Sequence, residues 1–149
     1  MPPSKHALLS ASSSKRWINC PPSARLCERV KEHHSSFAKQ GTDAHELCEY
    51  KLRVALGETV DNPTEDLDYY DSEMEECAND YASYVMEIVE SEKANGNVPV
   101  VMIEKELDFS EYVPDGFGTG DCLIISGNTL YVIDYKHGLG VLVDSYENS

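Results

Sequence analysis

The spacing of apolar positions changes near Pro99, from one every three or four residues to one every two. Before that point Tyr70, Met74, Cys77, Tyr81, Tyr84, Val85 and Ile88 recur at helical spacing and predict one stripe that packs into a core. Ser72 and Glu75 have the spacing of a capping box at the start of this helix, and Asn95-Gly96 predicts its end. A second helix is predicted to open at Gly41, with Asp43 and Glu46 again at capping-box spacing, and to stop at Gly57. Residues 58–70, acidic and containing Pro63, read as a loop. Ser10 to Ser14 predict a cap for a helix from about Lys15 to Lys31. Cys20-Pro21-Pro22 should interrupt it, because proline breaks a helix beyond its first turn. After Pro99 the pattern predicts strands at about 100–109, 118–125 and 129–136, with a turn at Ser126-Gly127-Asn128-Thr129. Phe117-Gly118-Thr119-Gly120 is rich in glycine but lacks the Lys-Ser/Thr and the following helix of a phosphate loop.

The turn sets a register. Centred on Gly127-Asn128, it pairs Ile125 with Leu130, Leu123 with Val132, and Asp121 with Asp134. Lys136, two residues past Asp134, then points to the same face. Opposed side chains have Cβ atoms ~4.5–5.5 Å apart. Two carboxylates at that range repel by roughly 3–4 kcal/mol at an effective dielectric near 20. Leu123, Ile125, Leu130 and Val132 on one face, and Cys122, Ile124, Tyr131, Ile133 and Tyr135 on the other, predict a strand pair covered on both sides. Carboxylates at the end of such a pair need cations. Lys136 supplies one charge and a divalent metal the rest, with oxygen ligands favouring Mg²⁺ or Mn²⁺. In this reading Asp121 and Asp134 hold the metal, helped by the main-chain carbonyl of Tyr135. Lys136 orients or deprotonates the attacking water, or stabilises the transition state. The plainer reading is a buried Asp–Lys salt bridge beside a second structural aspartate.

Composition narrows the setting. With 149 residues and 41% hydrophobic content, the chain has material for one domain, expected over 10–149 behind a flexible tail at 1–9. No apolar run approaches the ~20 residues of a membrane span, and Met1–Ser14 lacks a signal-peptide pattern. A soluble, cytoplasmic protein without a membrane partner is expected. Cys20, Cys27, Cys48, Cys77 and Cys122 are odd in number, with no CxxC spacing, and read as reduced thiols. The net charge of −15 argues against broad, passive binding to nucleic acid. Residues 1–40 nevertheless carry Lys5, Lys15, Arg16, Arg25, Arg29, Lys31 and Lys39 against Glu28 and Glu32 alone. Such a segment either tracks a phosphate backbone or is a solvated helix face.

The ordered motifs resemble a known family. Gly120-Asp121, followed thirteen residues later by Asp134-Tyr135-Lys136, resembles the GxxD…DxK signature of RecB-like PD-(D/E)XK nucleases. Gly41-x-x-x-His45-Glu46-x-x-Glu49 resembles the upstream helix motif of that branch, which implies His45 as a further metal ligand. Glu104, in Ile103-Glu104-Lys105-Glu106-Leu107, is a weaker candidate for water or metal contact and reads more simply as an exposed strand residue. Ser10-Ala11-Ser12 through Trp17 to Cys20-Pro21 is similar to the N-terminal entry of the branch, and the whole stretch resembles an uncharacterised phage-associated family with this core.

The resemblance implies an α+β, restriction-endonuclease-like core, with N-terminal helices packed on a mixed β-sheet whose central antiparallel hairpin holds the site. It implies Mg²⁺- or Mn²⁺-dependent hydrolysis of a DNA phosphodiester by an exonuclease or DNA-end-processing enzyme. Phage recombination or replication proteins are the implied partners. In these nucleases the third strand leads into a helix with a Gln-x-x-x-Tyr motif. This chain ends at Glu147-Asn148-Ser149, where that helix should begin, so the domain is expected to be incomplete at its C-terminus. Some relatives hold an iron–sulfur cluster with one N-terminal and three C-terminal cysteines. Cys20 matches the first and nothing matches the others, so no cluster is expected. The rival readings are a noncatalytic DNA-binding or phage-assembly module that keeps the fold, and a metal-binding regulatory protein that never meets nucleic acid.

Overall fold

A computed structural model describes residues 7–30 and 35–138. Lys5, Lys31 and Glu32, and the expected early C-terminal end, lie outside the described residues. The elements are α1 (Ser14–Asn19), α2 (Pro22–Cys27), α3 (Ser36–Ala55), α4 (Ser72–Ala94), β1 (Val100–Asp108), β2 (Phe117–Ser126) and β3 (Thr129–Ile133). The class is α+β, with the helices first and the strands last. The sheet is three-stranded in the order β1-β2-β3 and antiparallel, where a mixed sheet is expected from the resemblance.

Residues group into two compact units. The first holds Ser35–Lys105 and Gly120–Gly138. Its core joins Ala44, Leu47, Cys48 and Leu52 of α3 to Met74, Ala78, Tyr81, Ala82, Val85 and Val89 of α4, and to Cys122 and Ile124 of β2. Each Leu, Val or Met buried here contributes roughly 1.5–3 kcal/mol relative to exposure. The second unit contains described residues 7–30 and Glu106–Thr119. There the short helices α1 and α2 carry exposed Lys15, Arg16 and Arg25, with exposed Arg29 just beyond. The Trp17 Nε1–H donates to the carbonyl of Ser10 at 2.9 Å.

Helix α3 starts five residues before the expected Gly41. Its N-cap is Ser35, whose side chain accepts from the N–H of Ala38. Gly41 therefore lies inside the helix, at a cost of about 1 kcal/mol relative to alanine. Asp43 does not cap. It is buried and accepts the N–H of Tyr69 at 2.9 Å, which pins the acidic loop to α3. Helix α4 is capped one residue before the expected Ser72: Asp71 is the N-cap and accepts from Met74 N–H at 2.7 Å, and Ser72 is the first helical residue. Its buried stripe is turned from the expected one. Met74, Tyr81 and Val85 face inward, but Ala78, Ala82 and Val89 complete the face, while Tyr70 and Tyr84 are exposed. Alanines permit close approach of α3, whereas a tyrosine keeps its polar tip in water at the flank.

The β2–β3 register follows the expected pairing from Cys122↔Ile133 to Ser126↔Thr129. Among the described residues the hairpin is not covered on both sides. β3 is an edge strand, and on the face of Ile125 the partner residues Leu130 and Val132 are 59% and 64% exposed. Only the face of Cys122, Ile124 and Ser126 is buried throughout. The other end of the hairpin is tied to α4. Glu92, near the helix end, accepts from Ser126 Oγ (2.6 Å), Tyr131 OH (2.6 Å) and Asn97 Nδ2 (2.7 Å). These bonds hold its carboxyl below the usual carboxylate range.

Candidate metal centre

Three elements of the first unit each deliver one acid–base group to a common point. His45 comes from α3, Glu104 from β1 and Asp121 from β2. One ligand atom from each lies within 4.8 Å of the others. His45 sits between Ala44 and Leu47, both fully buried, so the packing of α3 fixes its direction. Asp121 immediately precedes fully buried Cys122. His45 Nδ1 lies 3.4 Å from Asp121 Oδ2.

Glu104 reaches the group through an unusual backbone. Its φ is +49°, in the left-handed region, in the middle of a strand. A non-glycine residue there costs roughly 1–2 kcal/mol. A regular strand would send Glu104 to the face opposite Ile103, which packs against the core. The left-handed residue is the one whose carboxylate joins the cluster. Strain of this kind concentrates at functional sites.

The electrostatics are those of a coupled cluster. Burial opposes the charged form of Asp121, yet the hydrogen bonds from His45 and from the N–H of Tyr135 prevail and hold its carboxyl below the ordinary range. His45 is raised by its hydrogen bond to Asp121, against the opposing effect of burial, with the charges of Asp121 and Glu104 adding to the rise. Glu104 is raised, first by burial and then by the neighbouring charges of Asp121 and Glu49. One imidazole nitrogen and two carboxylates with mutually perturbed acidities form a donor set suited to a divalent cation.

The structure brings His45 and Asp121 together as the motifs imply, and adds Glu104, which reads from sequence as an exposed strand residue. A signal for Glu104 exists. The N–H of Phe109 donates to the carbonyl of Gly116 at 3.0 Å, and a regular antiparallel pairing continued from there sets Glu104 across from Asp121. Asp134 is not in the trio. The ladder ends at Cys122↔Ile133, one pair before Asp121 and Asp134 would face each other. The reason lies in one hydrogen bond: the N–H of Tyr135 goes to Asp121 Oδ2 at 2.7 Å rather than to a strand carbonyl. Asp134 and Lys136 form their own ion pair at 2.6 Å, 53% and 79% exposed. The strand ladder thus stops short of an Asp121–Asp134 pair, while the charge of Lys136 still acts on Asp121 and His45 beside the His45–Glu104–Asp121 cluster.

Around this cluster lie thiols and phenols. Burial pushes the Cys48 thiol up to about 12 and the Cys122 thiol to about 11. All five cysteines are free, and the two fully buried ones are inert packing groups.

Residues 6–149 match the family described as Protein of unknown function (DUF2800). The chain belongs to the DUF2800 family. No solved structure matches this DUF2800 chain significantly. Among the described residues, no helix of this DUF2800 protein is long and apolar enough to cross a membrane.

Proposed function

We propose that this chain is the metal-dependent catalytic core of a DNA nuclease, cutting a phosphodiester as an exonuclease or end-processing enzyme. One observation carries the reading: the convergence of His45, Glu104 and Asp121 from three separate elements on one point. The motif resemblance at Asp121, Asp134-Tyr135-Lys136 and His45 supports it.

In this reading His45, Glu104 and Asp121 would hold Mg²⁺ or Mn²⁺, which would supply Lewis-acid stabilisation of the scissile phosphate and acidify water. The chain's own groups do the rest. Asp121, kept ionised by His45 and the Tyr135 N–H, is a constant anion at the site. Lys136, oriented by Asp134, meets a non-bridging phosphate oxygen or the water itself. Exposed Lys15, Arg16 and Arg29 are cations for a phosphate backbone in a chain whose net charge is −15. A cytoplasmic setting, and partners among phage recombination or replication proteins, belong to the same proposal.

A second reading, a noncatalytic DNA-binding or phage-assembly module, draws on the strong negative charge and on the self-paired, exposed Asp134–Lys136. One assay separates them. With Mn²⁺ or Mg²⁺ and end-labelled linear and single-stranded DNA, the enzyme reading expects cleavage by the wild type. Asp121→Asn and Asp134→Ala should each lose that cleavage while retaining DNA affinity. Wild-type binding that weakens with salt, without any cleavage, would favour the module.

A further inference from the structure

Tyr135 makes more contacts with the trio than any role as a main-chain metal ligand requires. Its N–H donates to Asp121 Oδ2 at 2.7 Å. Its ring meets the imidazole of His45 edge-on, with centroids 5.6 Å apart and planes at 82°. The same ring meets Tyr81 of α4 at 5.5 Å and 69°, and stacks on His137 at 6.2 Å and 28°. Its hydroxyl lies 3.2 Å from His137 Nδ1. Burial raises the phenol, and the neighbouring thiols of Cys48 on α3 and Cys77 on α4 raise it further. One residue thus touches two of the three candidate ligands and is itself gripped by both long helices.

We infer that Tyr135 is the positioning residue of the cluster: its ring fixes the plane of His45 while its N–H fixes the carboxylate of Asp121. This role rests on the metal reading above. The physics is that of an outer shell around a metal. A ligand imidazole free to rotate must be ordered on binding, and that ordering subtracts from affinity. An edge-to-face aromatic contact is worth ~0.5–1.5 kcal/mol beyond area burial, enough to favour one ring orientation. A hydrogen bond to an ionised carboxylate is among the stronger kinds. The backbone bond also explains why residue 135 leaves the strand ladder: its N–H is spent on the site.

The test uses the full chain and Mn²⁺ alone. Calorimetry compares wild type, Tyr135→Phe and Tyr135→Leu. Amide hydrogen exchange at residue 135 is followed in the metal-free proteins, with the amides of Leu52 and Val85 reporting the fold. Tyr135→Leu should weaken Mn²⁺ binding by at least ~10-fold and speed exchange at residue 135, while the Leu52 and Val85 amides stay protected. Tyr135→Phe keeps the ring and should restore both readouts. If the wild type binds Mn²⁺ and Tyr135→Leu binds it equally well, the positioning role is overturned and the metal reading survives. If the wild type binds no Mn²⁺, both are overturned. If Tyr135→Leu does not fold, the wild-type amide decides: slow exchange at residue 135 supports the role, and exchange as fast as in an unstructured chain overturns it.

Discussion

Replacing Asp121 by asparagine should leave the chain folded and cut its affinity for divalent metal by at least ~100-fold, about 2.7 kcal/mol. The loss is large because Asp121 is the node of the cluster. Its Oδ2 lies 3.4 Å from His45 Nδ1 and accepts the Tyr135 N–H at 2.7 Å, and its charge is the one that the surroundings hold ionised. Asparagine keeps an acceptor oxygen for Tyr135 but no longer offers an anion to a cation or to His45. Asp134→Asn should cost much less, since Asp134 is exposed and paired with Lys136 outside the trio. Calorimetric titration with Mn²⁺ measures both. Equal losses for the two variants would restore the hairpin pair of carboxylates as the metal site and count against the cluster described here.

The second large effect concerns stability. Leu52→Ala removes a fully buried side chain where α3 packs on α4. The expected cost is ~2–5 kcal/mol, from lost transfer energy and the cavity left behind. Val132→Ala, on the exposed face of β3, should change stability by less than about 0.5 kcal/mol. Urea unfolding followed by circular dichroism reads both variants. A loss below about 1 kcal/mol at Leu52 would mean that α3 is not part of the core. The same packing orients His45, so the damage should extend to metal affinity in any Leu52→Ala protein that still folds.

Much of this architecture was legible as periodicity and turn chemistry. Gly127-Asn128 marked the turn, and two-residue alternation then dictated every pair from Ser126↔Thr129 to Cys122↔Ile133. Gly57 and Asn95-Gly96 ended α3 and α4 because glycine accepts the left-handed φ, +88° and +83°, that closes a helix. What local pattern missed depends on partners distant in the chain. Asp43 looked like a cap, but its carboxylate was claimed by the N–H of Tyr69, twenty-six residues away. β3 looked three residues longer, but Asp121 took the N–H of Tyr135. Glu104 looked like an ordinary exposed strand residue because what marks it, the pairing that sets it across from Asp121, lies in another strand. The exposed face of Leu130 and Val132 was invisible for a different reason: an apolar row along a strand carries no mark of whether anything covers it.

In the proposed site a nitrogen and two carboxylates share one cation. Pulsed electron paramagnetic resonance of Mn²⁺ bound to the wild-type chain addresses this directly. The expected spectrum contains a nitrogen coupling from a directly bound imidazole, which disappears in His45→Ala while the histidine at 137 remains. Bound Mn²⁺ without any nitrogen coupling, or with a coupling that survives His45→Ala, would contradict it.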